Sequence, residues 1–139
     1  MKIFVYYVGK MRDAHANHLA VDYMQRAGRY VRCAMREIQP ERFDPWVKHP
    51  SATKLLLDPC GRSFDSEQFA KLVAKAEQES RDLVFLVGGA SGLPTVWHDR
   101  GGILLSLSAM TYPHELARVM LAEQIYRALA TLRGHPYPK

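Results

Sequence analysis

Leu83-Val84-Phe85-Leu86-Val87, running into Gly88-Gly89-Ala90-Ser91-Gly92, and Ile103-Leu104-Leu105-Ser106-Leu107, running into Ser108-Ala109-Met110-Thr111, decide the fold. Each is an apolar run without polar alternation, the mark of a strand buried on both faces of a parallel sheet. Each ends in very small residues. In open α/β sheets, ligands sit just beyond the carboxyl ends of such strands. Gly and Ala in both loops let main chain approach a flat ligand closely. The pair of loops predicts a small-molecule pocket built largely from backbone.

Working outward, Met1–Val8 reads as a first strand, too short and too aromatic for a signal peptide. Ala16, Leu19, Ala20, Tyr23, Met24, Ala27, Tyr30 and Val31 recur at helical spacing and predict one amphipathic helix. Gly28 lies off that stripe and costs a helix interior about 1 kcal/mol relative to alanine. A second strand is expected near Ala34–Ile38. Pro40, Pro45 and Pro50 make residues 39–51 a loop. A third strand spans Lys54–Asp58 and breaks at Pro59-Cys60-Gly61. Asp65 and Gln68 have capping-box spacing ahead of a helix with Phe69, Leu72, Val73 and Ala76 on its stripe. Residues 93–102 are expected to hold one helical turn. A final helix starts near Pro113, an early-helix position that suits proline, and runs to about Thr131. Strands alternating with helices predict a single α/β domain over residues 1–139 with a mostly parallel sheet flanked by helices. In the final helix Leu116, Val119, Met120, Leu121, Ile125, Tyr126 and Leu129 spread over more than one face. One face covers the sheet, and the rest is read as a homodimer interface.

Composition narrows the function. The chain has 139 residues with a net charge of +5, from 19 basic and 14 acidic side chains. Its isoelectric point near 9.4 favours an anionic partner such as nucleic acid. No apolar run approaches the ~20 residues of a membrane span. Cys33 and Cys60 lack disulfide or metal spacing and point to free thiols in a cytosolic, cytoplasmic protein. His15 and His18 have no metal-ligand partners at suitable spacing. Neither a GxGxxG fingerprint nor a GxxxxGK[ST] phosphate loop is present, and Gly9-Lys10-Met11-Arg12 is no substitute, which speaks against nucleoside triphosphate chemistry.

Gly88-Gly-x-x-Gly92, Leu105-Ser-Leu-Ser-x-Met-Thr-x-Pro-His114 and His135-Pro-Tyr137 resemble the RlmH family of SPOUT-class methyltransferases. Val8-Gly-Lys10, Asp22-Tyr23, Arg26, Glu37-Ile38, Leu57-Asp58 and Gly61 extend the likeness through the rest of the chain. The resemblance implies a SPOUT-type α/β knot, with a C-terminal trefoil knot that no periodicity reveals. It also implies methylation of N3 of a pseudouridine in 23S ribosomal RNA, on the ribosome, by a homodimer using S-adenosyl-L-methionine. Neither DNA nor a membrane is then an expected partner. By motif, the cofactor positions are Leu57, Gly88 and Leu107, Ser108, Ala109, Met110, Thr111 and Tyr112. One departure stands out: only 15 residues separate Ile38 from Lys54, where family members usually carry a longer, lysine-bearing insertion.

The imide nitrogen of the base has to lose a proton, so a base or charge-stabilising group is sought. The catalytic candidates are His114, Glu123, His135 and Tyr137. For His114 and Glu115, position in the first helical turn is an alternative explanation, since the helix dipole favours acidic groups there. Glu123 is either functional or the i+4 partner of Arg127. The tail His135-Pro136-Tyr137 has side chains able to stack on an unstacked base, or else straps the dimer. Arg118, Arg127, Arg133 and Lys139 add positive charge at this end, each read singly as a solvated surface residue. His98 is left without a role. Two rival functions remain: a knot methyltransferase for another RNA such as tRNA, and a non-catalytic ribosome-binding protein that retains the pocket.

Overall fold

The structure, a computed structural model, describes residues 1–137. Five parallel strands form one sheet in the order β2-β1-β4-β3-β5, with β1 Ile3–Val8, β2 Cys33–Ile38, β3 Thr53–Ser63, β4 Leu83–Val87 and β5 Ile103–Ser106. The helices are α1 Ala14–Ala27, α2 Pro45–Lys48, α3 Ser66–Gln78 and α4 His114–Leu132, with a 3₁₀ turn at Thr95–Asp99. β4 is central, hydrogen-bonded to β1 on one side and β3 on the other. All five of its residues are buried, so its unbroken apolar run has a direct cause.

The two faces are unlike. On one, Val5, Leu55, Phe85 and Leu105 meet Leu121, Ile125 and Leu129 of α4, with α1 and α3 beside it. On the other, Tyr6, Leu56, Val84 and Leu86 are covered by Trp97 of the 3₁₀ turn and by Phe43 and Trp46. Thus the segment after β2, although short, closes a second core. Lys54, buried beneath it, donates to the carbonyls of Ala52 (2.9 Å) and His49.

Four local expectations are corrected. Residues 39–51 contain α2, because Pro45 occupies the first helical position instead of breaking a helix, and Asp44 caps it by accepting from the Trp46 and Val47 amides. α1 stops at Ala27, and Gly28 is the cap residue outside it, so the interior-glycine cost does not arise. Tyr30 and Val31 continue its apolar stripe in a turn whose amides bond to Ala27. β3 does not end at Pro59. Leu57 and Arg62 both register with Leu105, so residues 58–61 bulge out and the strand resumes. Gly61 makes that possible, since a Cβ there would sit 2.6 Å from the Leu104 backbone. β5 also ends at Ser106, leaving Leu107 as the first loop residue.

The expected capping box at α3 is present: Asp65 accepts from the Gln68 amide at 2.7 Å and Gln68 accepts from the Asp65 amide at 2.9 Å. Asp65→Ala should lower unfolding stability by about 1 kcal/mol in denaturant titrations, with Asp65→Ser close to wild type.

Three carboxylates stand below their ordinary range. Glu77 is held down by the Arg133 guanidinium, Asp44 by Arg100 and then by the α2 amides, and Glu115 by the amides of Arg12 and Asp13. Depressed folded-state values stabilise the fold above the unfolded pKa and lose that contribution as pH falls through the folded value. Stability should therefore decline as acid passes below the ordinary values of 4.5 for Glu and 3.8 for Asp. Glu77→Gln combined with Asp44→Asn should flatten that decline in denaturation curves taken across the acid range.

Candidate active site

The carboxyl ends of β4 and β5 and the bulge of β3 enclose a cavity of about 410 Å³, within the range of small-molecule sites. Leu57, Asp58 and Pro59 form one wall, Val87 to Ala90 with Gly92 a second, and Leu105, Leu107, Ser108, Met110, Thr111, Tyr112 and Pro113 a third. His114 and Ala117 of α4 close it. Of the cofactor positions implied by the resemblance, Leu57, Gly88, Leu107, Ser108, Met110, Thr111 and Tyr112 line this cavity. Ala109 shares their loop but does not line it.

Backbone contacts explain the small residues. A Cβ on Gly88 would lie 2.7 Å from the Gly92 carbonyl carbon, and one on Gly89 would lie 2.8 Å from the Val8 oxygen. Gly89 and Gly92 close a tight turn, with Gly92 N–H donating to the Gly89 carbonyl at 3.0 Å. In the β5–α4 loop, buried Ser106 donates its hydroxyl to the Ser108 carbonyl at 2.9 Å, and Ser108 Oγ accepts from the Met110 amide at 3.0 Å. The loops are thus fixed by their own hydrogen bonds and leave an apolar hollow between them.

The catalytic candidates divide. His114 is on the cavity wall; Glu123, His135 and Tyr137 are not. Glu123 carries the i+4 ion pair, bonded by Arg127 Nε at 3.3 Å and its terminal nitrogen at 2.7 Å. Tyr137 also donates its hydroxyl to Glu123 at 2.7 Å, while its ring stands edge-on to Tyr126 with centroids 4.9 Å apart. Burial, then the hydrogen bonds to Glu123 and Tyr23, raise the Tyr137 phenol above its ordinary value. It is a hydrogen-bond donor here, not a base. His135 is exposed and meets the edge of Tyr30. Arg26, over the rings of Tyr23 and Tyr126 at 5.6 and 5.9 Å, completes an arginine–tyrosine cluster between α1 and α4. Glu115 clamps the β1–α1 loop by accepting from the Arg12 and Asp13 amides, a more specific task than complementing a dipole.

The basic residues also differ from expectation. Arg118 is 2% exposed, its guanidinium 3.5 Å from the centre of the Tyr7 ring, so it is no solvated surface group. Burial lowers its pKa from the ordinary arginine value, against the pull of Tyr7, Glu115 and Glu37. Its place was readable, since Arg118 shares the i, i+3, i+4, i+7 face with Leu121, Ala122 and Ile125. Arg133 is bidentate on Glu77, at 2.6 and 2.9 Å. Lys139 lies outside the described residues. Missed by the sequence reading is a pair at the cavity: His98 of the 3₁₀ turn bonds Asp58 at 3.1 Å, a contact across 40 residues of chain.

Cys33 and Cys60 are free thiols, Cys33 pushed up to about 12 by burial. Among the described residues no group of three His, Cys, Asp or Glu side chains is arranged to hold a metal ion, and no helix is long and apolar enough to cross a membrane.

A family model described as "Predicted SPOUT methyltransferase" matches residues 1–138. The ribosomal RNA large subunit methyltransferase H of Solibacter usitatus is 61% identical over 137 residues, covering 99% of this chain and 99% of its own length. That relative is therefore as short as this chain. The protein of the same name from Chromobacterium violaceum is 36% identical over 153 residues, covering 99% and 98%. Among solved structures, a probable methylase family protein from Haemophilus influenzae Rd KW20 superposes with a TM-score of 0.64 at 12% identity, over 99% of this chain and 72% of that one. An AdoMet-bound rRNA methyltransferase from Sinorhizobium meliloti gives 0.57 at 14% identity, over 91% and 56%. At such identities the two structures speak for the fold. With the parallel sheet, its carboxyl-end cavity and near full-length relatives in agreement, the chain belongs to the SPOUT methyltransferases, in the ribosomal RNA large subunit methyltransferase H family.

Proposed function

We propose that this methyltransferase works in the cytoplasm as a homodimer, transferring a methyl group from S-adenosyl-L-methionine to N3 of a pseudouridine in 23S rRNA on the ribosome. The observation that carries this reading is the 61% identity, over nearly the whole chain, to a large-subunit rRNA methyltransferase. The cavity supports it, because seven of the eight implied cofactor positions line one hollow. The hollow suits that cofactor in chemistry as well: apolar side chains for a flat ring, loop backbone for its polar edges, and one carboxylate, Asp58, for a cation. The same reading takes residues 1–139 as one domain. It includes the C-terminal knot that the family resemblance implies.

S-adenosylmethionine supplies an already activated methyl group, so the protein's task is alignment. His114 sits where a proton leaving the imide nitrogen can be taken up from the cavity side. Glu123, Arg127 and Tyr137 do not line the cavity of their own chain, and we assign them to the neighbouring subunit's site. Leu116 and Met120, exposed on α4 beside the groove of Phe64, Phe69 and Tyr112, supply the apolar face for that pairing. The tail of one subunit then holds the base over the cofactor of the other.

Removing residues 135–139 should leave S-adenosylmethionine affinity unchanged while lowering methyl transfer by roughly 10²-fold, the scale of one positioned catalytic group. Transfer of labelled methyl groups to unmodified ribosomes, free subunits and tRNA tests both points. Ribosomal label lost on truncation fits the reading; label on tRNA alone, or normal transfer by the truncated chain, contradicts it.

A further inference from the structure

Asp58 is the one acidic residue among those lining the cavity, and it sits in an otherwise apolar wall. Both of its oxygens are engaged from behind: Oδ1 accepts from the Cys60 amide at 2.8 Å, Oδ2 from His98 Nε2 at 3.1 Å. An ionised carboxylate only accepts, so Nε2 carries the proton. Each oxygen keeps a lone pair for a second partner. The other ring nitrogen of His98, Nδ1, is buried and makes no hydrogen bond among the described residues. Burying a bare polar atom is unfavourable, and an apolar side chain would pack this turn without it. Among the described residues the ring's one hydrogen bond is to Asp58, and buried Trp97 beside it anchors the turn that carries it.

We propose that His98 is a positioning residue for Asp58, and that Asp58 turns its carboxylate toward the sulfonium of the methyl donor. The cavity thereby prefers the charged donor over the demethylated product, whose sulfur is neutral. This rests on reading the cavity as the S-adenosylmethionine site. It gives the enzyme a way to shed product: the methyl group leaves, the positive charge on sulfur leaves with it, and the attraction to Asp58 falls.

Calorimetric titration of the full chain with S-adenosylmethionine and, separately, with S-adenosylhomocysteine tests this without RNA. Asp58→Asn should weaken donor binding about tenfold, between the bulk-water and near-surface limits for a charge pair at contact distance, and leave product binding nearly unchanged. His98→Ala should move donor affinity in the same direction by a smaller factor. His98→Gln, whose amide can donate from nearly the Nε2 position, should restore it. Equal loss of both ligands in Asp58→Asn overturns charge selection, because the carboxylate would then serve groups that donor and product share. Wild-type affinities in His98→Ala overturn the positioning role, as does failure of His98→Gln to rescue while its thermal unfolding matches wild type. If the wild-type chain binds neither ligand, the cofactor reading falls first and this inference with it.

Discussion

Gly88→Ala should abolish measurable binding of the methyl donor and methyl transfer with it, although the side chain added is a single methyl group. The new Cβ would lie 2.7 Å from the Gly92 carbonyl carbon, 2.8 Å from its Cα and 2.9 Å from the Leu93 nitrogen. All three are backbone atoms, and none can turn aside as a flexible side chain would. Gly92 is tied back to Gly89 by a hydrogen bond, and Leu93 is anchored in the core under the second face of the sheet. The strain, of the order of 1–3 kcal/mol for an overpacked site, is therefore relieved by shifting the loop backbone, of which Gly88, Gly89, Ala90 and Gly92 line the cavity. Misplacement on the ångström scale is enough for losses of ~10²-fold in a reaction that depends on alignment. Gly92→Ala is the control. Gly92 has φ of +77° with nothing within 4 Å of an added Cβ, so that substitution costs backbone strain of about 1 kcal/mol but leaves the wall in place. Calorimetry should show donor binding lost in the first variant and kept in the second. Wild-type affinity in Gly88→Ala would mean that this loop is not part of the cofactor site.

Leu116→Asp together with Met120→Asp should convert the proposed dimer to a monomer that binds the donor and transfers no methyl group. α4 has more apolar surface than its own chain covers. Leu121, Ile125 and Leu129 are buried against the sheet, whereas Leu116 and Met120 remain 48% and 44% exposed one turn apart. Two carboxylates placed in an apolar interface lose hydration without gaining a partner, which disfavours association. The same carboxylates on a free surface cost little, so the fold should survive. Sedimentation velocity and a transfer assay on one preparation separate the possibilities. A wild-type monomer, or a monomeric variant with full activity, would remove the shared site from the account.

Much of the sheet was legible because burial on two faces leaves a plain signature. β4 has no polar position in five residues, and the Asp65–Gln68 spacing announces α3. What could not be read depends on pairing. The order β2-β1-β4-β3-β5 is a property of crossovers, to which hydrophobic period is blind. β3 crosses Pro59 only because Gly61 fits against Leu104, a contact between segments 43 residues apart. Pro45 has one letter for two jobs, and the helix it starts is too short to show a period. Two loops of small residues indicated a backbone-lined pocket, but the particular cofactor positions came from resemblance. Arg118 was legible from its place on the buried face of α4, where its charge alone suggests a surface group. The Asp58–His98 pair needed the fold, since nothing local to either residue announces the other.

The central claim is the reaction itself, and one measurement reaches it most directly. Ribosomes lacking the modification are incubated with the enzyme and methyl-labelled S-adenosylmethionine, and the large-subunit RNA is digested and mapped by mass spectrometry. The account predicts one added methyl group on N3 of a pseudouridine in 23S rRNA. Label on any other nucleoside, or none from a preparation that demonstrably binds the donor, would contradict it.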